Sequence, residues 1–485
     1  MSAVPRPAAG RRLGWILALL ALAQMVYSLD LNIVFVALPE IGAELGFPGQ
    51  TQQLVVSAYV VFAGGFLLFG GRAADLLGRR RVFVFALALY AVSSLAGGLA
   101  PSPATIVVAR AVQGIGGALL LPSTLSLINT LFAEGPQRNR ALAVWGGAGA
   151  SGLTIGALLG GVLTEHFGWP AVFYVNVPLA ALVALAALAV IPPDPAGRQR
   201  RRFDLPGSLT VTAGATLLVF ALVQGPEQGW TSPLVIGAFV LAAVLLAAFA
   251  AIEGRSADPL MPFRLFRNRS LTGGMIITFV YMATFGVLPY FLTVLMQSVH
   301  GYSALQTGLA FLVPSLAIAT GTQLGERLTT RIGLRTTLLI GFAIGVVGTV
   351  GMAIGFDTAA GYGRLVPGLI VSGVGQGIVW TAMWIAAATG TAAHEQGVAN
   401  GIASTALNIG NAIGLAVFTA LADIGTEGKT GEALRSATAH GEFVVVLLTA
   451  AGMVLGLLVS LALPRTTTPA ATITETPDPA HLAAR

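Results

Sequence analysis

The sequence predicts an all-α polytopic membrane protein with fourteen transmembrane helices. The first observation is composition, because 55% of the 485 residues are hydrophobic and only 9% are charged, against about 25% charged residues in soluble domains. A soluble fold could not cover so much apolar surface with so few charges, so a soluble enzyme and a disordered chain are both excluded. The second observation is a regular series of apolar stretches, each long enough to cross a bilayer.

Fourteen such stretches of about twenty residues follow one another along the chain, and we number them spans 1 to 14. They lie at approximately 13–38, 53–71, 82–100, 103–127, 141–164, 170–191, 206–224, 233–252, 271–296, 304–325, 336–356, 365–388, 397–422 and 443–463. The short connections between them leave no room for a soluble catalytic domain. Spans 7 and 8 would also fit a re-entrant pair in a twelve-span protein. The first span follows basic residues like a signal peptide, but its length favours an uncleaved helix.

The chain contains two related six-span blocks. Residues 71–81 after span 2 and 325–335 after span 10 are both rich in Gly and Arg, and Gly78 aligns with Gly333. Duplicated six-span halves are typical of transporters, although short cytoplasmic loops are often rich in these residues. The predicted organisation is an N-terminal six-helix half over 1–191, a linker with two additional spans over 192–269, a C-terminal six-helix half over 270–463, and a disordered cytoplasmic tail over 464–485.

The basic residues predict the orientation of the chain in a cell membrane. With the N-terminus inside, 22 of the 26 Lys and Arg residues fall in inside segments and three fall outside, while Arg110 lies within span 4. The excess of inside charge places both termini in the cytoplasm. The basic loops then face anionic lipid headgroups, so the net charge of +6 requires no nucleic-acid partner.

Asp30 and Arg110 are ionisable residues well inside spans, where charges are costly and usually functional. Each lies 8 residues from the outer end of its span, at Leu38 and Ser102 respectively, so both are about 12 Å deep. They could form a pair or a water-linked network, and Gln113 could orient the guanidinium from position i+3. Burial favours the neutral form of an Asp side chain, whereas a nearby guanidinium favours the charged form. A carboxyl group balanced between these two effects can bind and release a proton. The alternative is a structural ion pair between two helices.

Small and charged residues predict helix contacts that could change during a conformational transition. Span 5 has a glycine stripe suited to close packing or sliding. The stripe consists of Gly149, Gly152, Gly156 and Gly160. Asp75 lies among arginines in the loop after span 2, where it could lock a neighbouring helix end as a gate. A solvated loop ion pair is the alternative for Asp75.

Polar and aromatic residues in the C-terminal half are candidate substrate contacts. One face of span 13 has amides that could bind a polar substrate group, or could form hydrogen bonds between helices. This face contains Asn400, Ser404, Asn408 and Asn411. Tyr281 and Phe285 in span 9 could form an aromatic wall for a planar apolar substrate, or pack against other helices. Trp380 and Trp384 lie in the inner third of span 12, where they predict an interfacial aromatic belt.

The sequence offers little for enzymatic or metal chemistry. It has no Cys, and its five His residues are far apart and match no metal-ligand spacing. No pairing of a nucleophile with a base stands out. We therefore predict neither an enzyme nor a metal site, and no cofactor.

Six segments together resemble the major facilitator superfamily, specifically its fourteen-span drug:proton antiporter branch. The segments are 29–39, 71–80, 110–116, 152–161, 168–178 and 297–308. Each segment is short, but their order and spacing cover the whole membrane region. The resemblance implies the major-facilitator fold, with two six-helix halves and two additional central helices. It also implies a monomer that exports hydrophobic small molecules, such as drugs or antibiotics, from a bacterial cytoplasm by alternating access.

The resemblance also implies roles for individual residues, with the proton as the coupling ion. The proton-coupling set is Asp30, Arg110 and Gln113. The conformational gate is Gly71, Asp75, Gly78, Arg79 and Arg80. The packing residues of the antiporter motif are Gly152, Gly156, Gly160 and Gly161. Independently of the resemblance, the candidate substrate contacts are Asn32, Tyr281, Phe285, Asn400, Asn408 and Asn411.

Two positions depart from the pattern of this branch and keep other functions open. Asn32 stands where the branch usually has Thr, and Ala157 stands where it usually has Pro. An uncoupled facilitator or an importer of a small metabolite is therefore an alternative, and a non-transporting receptor or scaffold is a more distant one. Spans 9–14 have no deep acid, which favours neutral or monocationic substrates over dications.

Overall fold

The computed structural model is helical throughout the part of the chain that it describes. The described residues are 10–47, 52, 54–194, 204–256, 261, 263–358, 361–392, 395–422, 424–426 and 429–464. The helices are α1 (Gly10–Leu45), α2 (Leu54–Gly65), α3 (Leu67–Leu77), α4 (Arg79–Gly98), α5 (Pro103–Leu131), α6 (Pro136–Phe167), α7 (Pro170–Tyr174), α8 (Asn176–Val190), α9 (Leu205–Gln228), α10 (Pro233–Glu253), α11 (Arg269–Thr284), α12 (Leu288–Val294), α13 (Ala304–Ala310), α14 (Leu312–Ile332), α15 (Leu334–Ala353), α16 (Tyr362–Ala388), α17 (Gln396–Ala422) and α18 (Gly431–Ala462). The predicted disordered tail, from 465 onward, lies outside the described residues.

The fourteen predicted spans are confirmed by length and composition. Among the described residues, thirteen helical segments are long and apolar enough to cross a membrane, and the bent pair α2 and α3 makes a fourteenth. Helices suit the interior of a bilayer because every backbone N–H and C=O group there must find its hydrogen-bond partner within the protein. Spans 7 and 8 correspond to α9 and α10, which are both full-length helices packed against each other. The structure therefore has a complete additional pair of spans rather than a re-entrant loop.

Span 2 extends beyond its predicted end. The two helices of this span meet at Phe66 with a bend of 50°, and α3 continues to Leu77. Asp75, predicted in a loop, therefore lies in the last turns of α3. Asp75 and Arg72 are buried, and hydropathy could not predict a helix whose charges are covered by the rest of the protein.

Span 14 also begins earlier than predicted, at Gly431 rather than near residue 443. The first turns of α18 are polar, so the apolar pattern does not include them. Glu442 consequently lies inside a helix and is buried. Glu442 directly precedes the apolar stretch of span 14, so the absence of a deep acid from spans 9–14 stays a prediction.

The two six-span blocks have an equivalent turn after their second span. Gly78 joins α3 to α4 with φ of 109°, and Gly333 joins α14 to α15 with φ of 82°. This backbone region is open to glycine and strained for other residues. We use the name "basic end" for the end of the bundle that contains Gly78, Gly333 and the arginines beside them.

The two blocks meet along two seams. In one seam, α3 and α5 of the first block pack against α17 of the second, and in the other, α6 packs against α14 and α16. The inserted helix α9 lies against α2 and α17, beside the first seam. Residues that line either seam therefore lie between the two halves.

Candidate functional site

Asp30 lies at the centre of a buried hydrogen-bond network formed by α1, α5 and α8. The exposed fraction is 0% for Asp30 and 1% for Arg110. Arg110 Nη1 donates to Asp30 Oδ2 at 2.5 Å. Gln113 Nε2 and Asn176 Nδ2 donate to Oδ1 of the same carboxylate at 2.9 and 2.7 Å. Three donors around one carboxylate provide the compensation that a buried anion requires.

Arg110 is held from more than one side. Its Nε donates to the backbone carbonyl of Val55 at 3.1 Å, and its Nη1 also donates to Gln113 Oε1 at 2.7 Å. The guanidinium carbon lies 4.4 Å from the centre of the Tyr59 ring, which is the geometry of a cation–π contact. The network thus connects α1, α2, α5 and α8 through one ion pair.

The structure brings together Asp30, Arg110 and Gln113, which sequence reasoning had grouped, and adds two further members. Asn176 donates to Asp30, and Ser94 Oγ accepts a hydrogen bond from Gln113 at 2.7 Å. Asn176 is the one polar residue in the apolar helix α8, a signal that could have indicated it. Ser94 gives no such signal, because serine is common within membrane helices.

The charges in this network are coupled to helix packing. Protonation of Asp30 would remove the anion that Arg110 pairs with inside the bundle. Breaking a buried ion pair costs about 3–5 kcal/mol, because it leaves an uncompensated charge. The ion pair therefore ties the charge of Asp30 to the packing of α1 against α5.

Asp75 joins the two halves at the basic end. Its Oδ2 accepts a hydrogen bond of 3.0 Å from the backbone N–H of Val398, in the first turn of α17. Its Oδ1 accepts from Arg79 Nη2 at 3.1 Å. Gly71 allows this approach, since a Cβ atom there would collide with the carbonyl oxygen of Gly397. The predicted gate residue thus forms a contact between halves in addition to its ion pair with Arg79, and it is buried rather than solvated.

The turn at Gly78 is fixed by an acid that sequence reasoning missed. The carboxylate of Asp194 accepts hydrogen bonds of 3.3 Å from the backbone N–H groups of Arg80 and Arg81. The side chain of Arg80 also donates to the carbonyl oxygen of Leu188. The residues just after α8 therefore cap the N-terminus of α4, where a negative charge is favourable.

Uncharged polar residues add contacts between the halves at the basic end. Asn129 Nδ2 of α5 donates to Gln396 Oε1 and Asn400 Oδ1 of α17 at 3.1 and 3.3 Å. Across the other seam, Asn139 Nδ2 of α6 donates to Thr330 Oγ1 of α14 at 3.3 Å. Both seams are therefore closed at the basic end in this conformation.

The glycine stripe of span 5 lies against α1. At three of its glycines a Cβ atom would meet a backbone carbonyl oxygen of α1, one helical turn apart. The pairs are Gly152 with Met25, Gly156 with Leu29, and Gly160 with Ile33. Gly161 differs from these three, because a Cβ there would meet no described atom within 4 Å. The contact between α1 and α6 thus depends on the stripe and does not involve Gly161.

The polar candidates on α17 have different surroundings. Asn400 is buried and accepts the hydrogen bond from Asn129. Asn408 is half-buried and donates to the carbonyl oxygen of Ser404 on its own helix at 3.0 Å. Asn411 is also half-buried. Asn400 therefore belongs to the contacts between halves, while the other two amides are partly accessible.

The remaining substrate candidates lie on different surfaces. Asn32 is half-buried and donates to the carbonyl oxygen of Leu153 at 3.0 Å. Phe285 is buried within the second half, with its ring 6.1 Å from that of Phe342. Tyr281 lies between this core and the seam, since its ring contacts both Phe285 and Trp380. The structure therefore brings Tyr281 and Phe285 together, with ring centroids 5.3 Å apart, and places Asn32 in the first half, against α6.

An aromatic cluster lies between the halves, where an interfacial belt had been predicted for two of its members. The rings of Trp145 and Trp380 are nearly parallel, with centroids 6.2 Å apart and an angle of 11°. Trp384 meets both edge-on, at 5.7 and 5.9 Å. The belt prediction is wrong for Trp380 and Trp384 because the partner Trp145, which covers them, is distant in sequence.

In the described part of the chain, no group of three or more His, Asp or Glu residues is placed to hold a metal ion. The fold and the buried network define a polytopic membrane protein of two six-helix halves that meet around interior polar groups. This is the architecture of a secondary transporter.

The chain belongs to the Major Facilitator Superfamily, whose family profile matches residues 20–415 and 274–484. It is 36% identical to the puromycin resistance protein of Streptomyces alboniger, over 91% of this chain and 89% of that protein. It is 37% identical to the cephamycin export protein of Amycolatopsis lactamdurans, over 86% of each chain. The tetracenomycin C resistance and export protein of Streptomyces glaucescens is 30% identical, over 83% of this chain and 74% of that protein. The expected resemblance is confirmed, and this family consists of transporters rather than enzymes.

Solved structures agree with the fold. The human organic anion transporter MFSD10 superposes with a TM-score of 0.67, over 93% of this chain and all of that one, at 18% identity. The proton:xylose symporter XylE superposes with a TM-score of 0.68, over 95% of this chain and 98% of that one, at 14% identity. At these identities the likeness concerns the fold alone.

Proposed function

We propose that this protein is a proton-coupled exporter of hydrophobic small molecules, in particular drugs or antibiotics, across the bacterial cytoplasmic membrane. The observation that carries the proposal is the sealed network of Asp30, Arg110, Gln113 and Asn176. An ion pair so costly to bury, placed inside a transporter fold, is suited to proton coupling. Relatives that are named for antibiotic resistance and export support the direction of transport and the class of substrate.

The proposed cycle couples the charge of Asp30 to the contacts between the halves. Asp30 takes up a proton from the outside and releases it to the cytoplasm, while substrate moves outward. Protonation weakens the pairing with Arg110 and allows α1 to shift along the glycine stripe of α6. Substrate then moves the equilibrium between two states by binding them unequally. The contact of Asp75 with Val398 stabilises the state in which the basic end is closed.

The proposed placement in the membrane follows the basic residues. The basic end faces the cytoplasm and its anionic lipid headgroups, so both termini are cytoplasmic. The functional unit is a monomer, with the proton as coupling ion and no other cofactor. Substrate binds between the halves, where Asn32, Asn408, Asn411 and Tyr281 are the candidate contacts.

The test is substrate-induced proton movement in everted membrane vesicles that contain the full chain. Puromycin, lincomycin and ethidium are added to acidified vesicles, and the internal pH is followed with a fluorescent dye. We expect at least one compound to dissipate the gradient with the natural sequence and not with Asp30→Asn. Asp357→Asn is the matched control, because Asp357 is an exposed acid.

Two outcomes would contradict the proposal. Proton release that survives Asp30→Asn would remove this residue from the coupling step. Transport that persists after the gradient is abolished would favour the alternative of an uncoupled facilitator or an importer of a small metabolite.

A further inference from the structure

The aromatic cluster is built from residues of both halves of the molecule. Trp145 belongs to α6 in the first half, whereas Trp380 and Trp384 belong to α16 in the second. The two nearly parallel rings, Trp145 and Trp380, therefore come from opposite sides of the seam. Any separation of the halves along this seam opens the stack between them.

The indole N–H groups of this cluster are buried hydrogen-bond donors that contact no acceptor among the described residues. The Nε1 atoms of Trp145, Trp380 and Trp384 are all buried and have no hydrogen-bond partner among the described residues. A buried tryptophan usually pairs its N–H, because leaving it unpaired costs free energy. By contrast, Nε1 of Trp169 in the first half donates to Glu44 at 2.9 Å. Phenylalanine or leucine would fill the same seam without this cost, so the donors point to a bound acceptor.

We propose that Trp145 and Trp380 form an aromatic clamp for a planar aromatic substrate that carries a hydrogen-bond acceptor such as a carbonyl oxygen. The inference rests on the proposed function, since the clamp opens only when the halves move apart. A ring held between two others needs about 7 Å between their planes, twice a carbon–carbon contact distance. The ring centroids are 6.2 Å apart in the closed stack, a distance that includes any sideways offset of the two rings, so the seam must open before a substrate ring can enter. Trp384 then closes the edge of the clamp.

The clamp is tested by equilibrium dialysis of the purified full chain in nanodiscs, with empty nanodiscs correcting for partition into lipid. Acridone is planar and has a carbonyl acceptor, whereas carbazole is planar and lacks one. We expect one of the three indole N–H groups to donate to the carbonyl oxygen of acridone. Replacing that tryptophan by phenylalanine should lower the affinity for acridone by about three- to tenfold. The three variants to compare are Trp145→Phe, Trp380→Phe and Trp384→Phe. Carbazole binding stays unchanged in the variant that loses affinity for acridone. Trp145→Leu removes one face of the clamp and lowers the affinity for both probes.

Trp230→Phe is the matched control, because Trp230 stacks on Phe239 within the inserted pair, away from the seam. It leaves both affinities unchanged. Two outcomes would overturn the clamp. In the first, Trp145→Leu binds each probe as tightly as the natural protein does. In the second, none of the three Trp→Phe variants changes the affinity for acridone. Should Trp145→Leu fail to fold, the three Trp→Phe variants still decide the question. Dialysis needs no proton gradient, so loss of proton coupling with intact binding would count against the proposed function alone.

Discussion

The carboxylate of Asp75 accepts a 3.0 Å hydrogen bond from the backbone N–H of Val398, which joins the first half of the molecule to the first turn of α17 in the second. The partner is a backbone group at a helix N-terminus, where the unpaired N–H groups and the helix dipole both favour an anion. The bond depends on the position of the backbone at Val398, while the side chain of this residue is buried in the hydrophobic core.

Removal of the Asp75 carboxylate should open the basic end. A hydrogen bond to a charged group contributes about 1.5–3 kcal/mol, so Asp75→Ala should shift the equilibrium toward the open state by about tenfold or more. The chain has no Cys, so Ser126→Cys, at a buried position of α5, provides a labelling site without background. We expect faster labelling by a permeant maleimide when Asp75→Ala is added. Asp357→Ala is the control, and equal rates in both variants would exclude Asp75 as a gate.

A covalent bond across the second seam should stop the cycle. Asn139 and Thr330 come from opposite halves, and their side chains are hydrogen-bonded at 3.3 Å. Oxidation of the double variant Asn139→Cys and Thr330→Cys should lock the basic end closed and abolish substrate efflux from cells or vesicles. A reductant should restore it, and each single variant should remain active. Efflux that continues in the fully cross-linked protein would show that this seam stays closed throughout transport.

A glycine-to-alanine substitution in α6 should destabilise the protein within the glycine stripe, which contacts α1, and should be tolerated outside it. Gly156→Ala places Cβ against the carbonyl oxygen of Leu29, and overpacking of this kind costs about 1–3 kcal/mol. Gly161→Ala meets no described atom within 4 Å and should leave stability unchanged. The free energy of unfolding in SDS titrations of the purified variants measures the difference. Equal stability of the two variants would mean that α1 and α6 do not depend on this close approach.

Asn176 should contribute more to stability than Asn32, although both are asparagines in membrane helices. Asn176→Leu removes a donor from the buried carboxylate of Asp30 and should cost about 1.5–3 kcal/mol. Asn32→Leu removes one bond to a backbone carbonyl at a half-buried position and should cost about 0.5–1.5 kcal/mol. The same SDS titrations compare the two variants. A larger loss for Asn32→Leu would contradict the central place of Asn176 in the network.

The sequence predicted best those features that depend on one segment at a time. Apolar length alone located the fourteen spans, and the cost of a charge in lipid singled out Asp30 and Arg110. It failed where burial comes from a distant segment. Trp380 resembled a belt residue because nothing nearby in the chain indicates Trp145, and Asp75 resembled a loop residue because α17 covers it from the other half. Asn176 stands out as a polar residue in an apolar helix, but its place beside Asp30 depends on how α1 and α8 pack, which one segment alone does not indicate.

The inserted helices α9 and α10 make the two sides of the molecule unequal toward the bilayer. Helix α9 lies against α2, α3 and α17 on the flank of the first seam, whereas the main contacts of the inserted pair among the described residues do not include α6 or α14. The insertion therefore makes the two flanks of a pseudo-symmetric protein sterically unequal, with an additional helix beside the first seam.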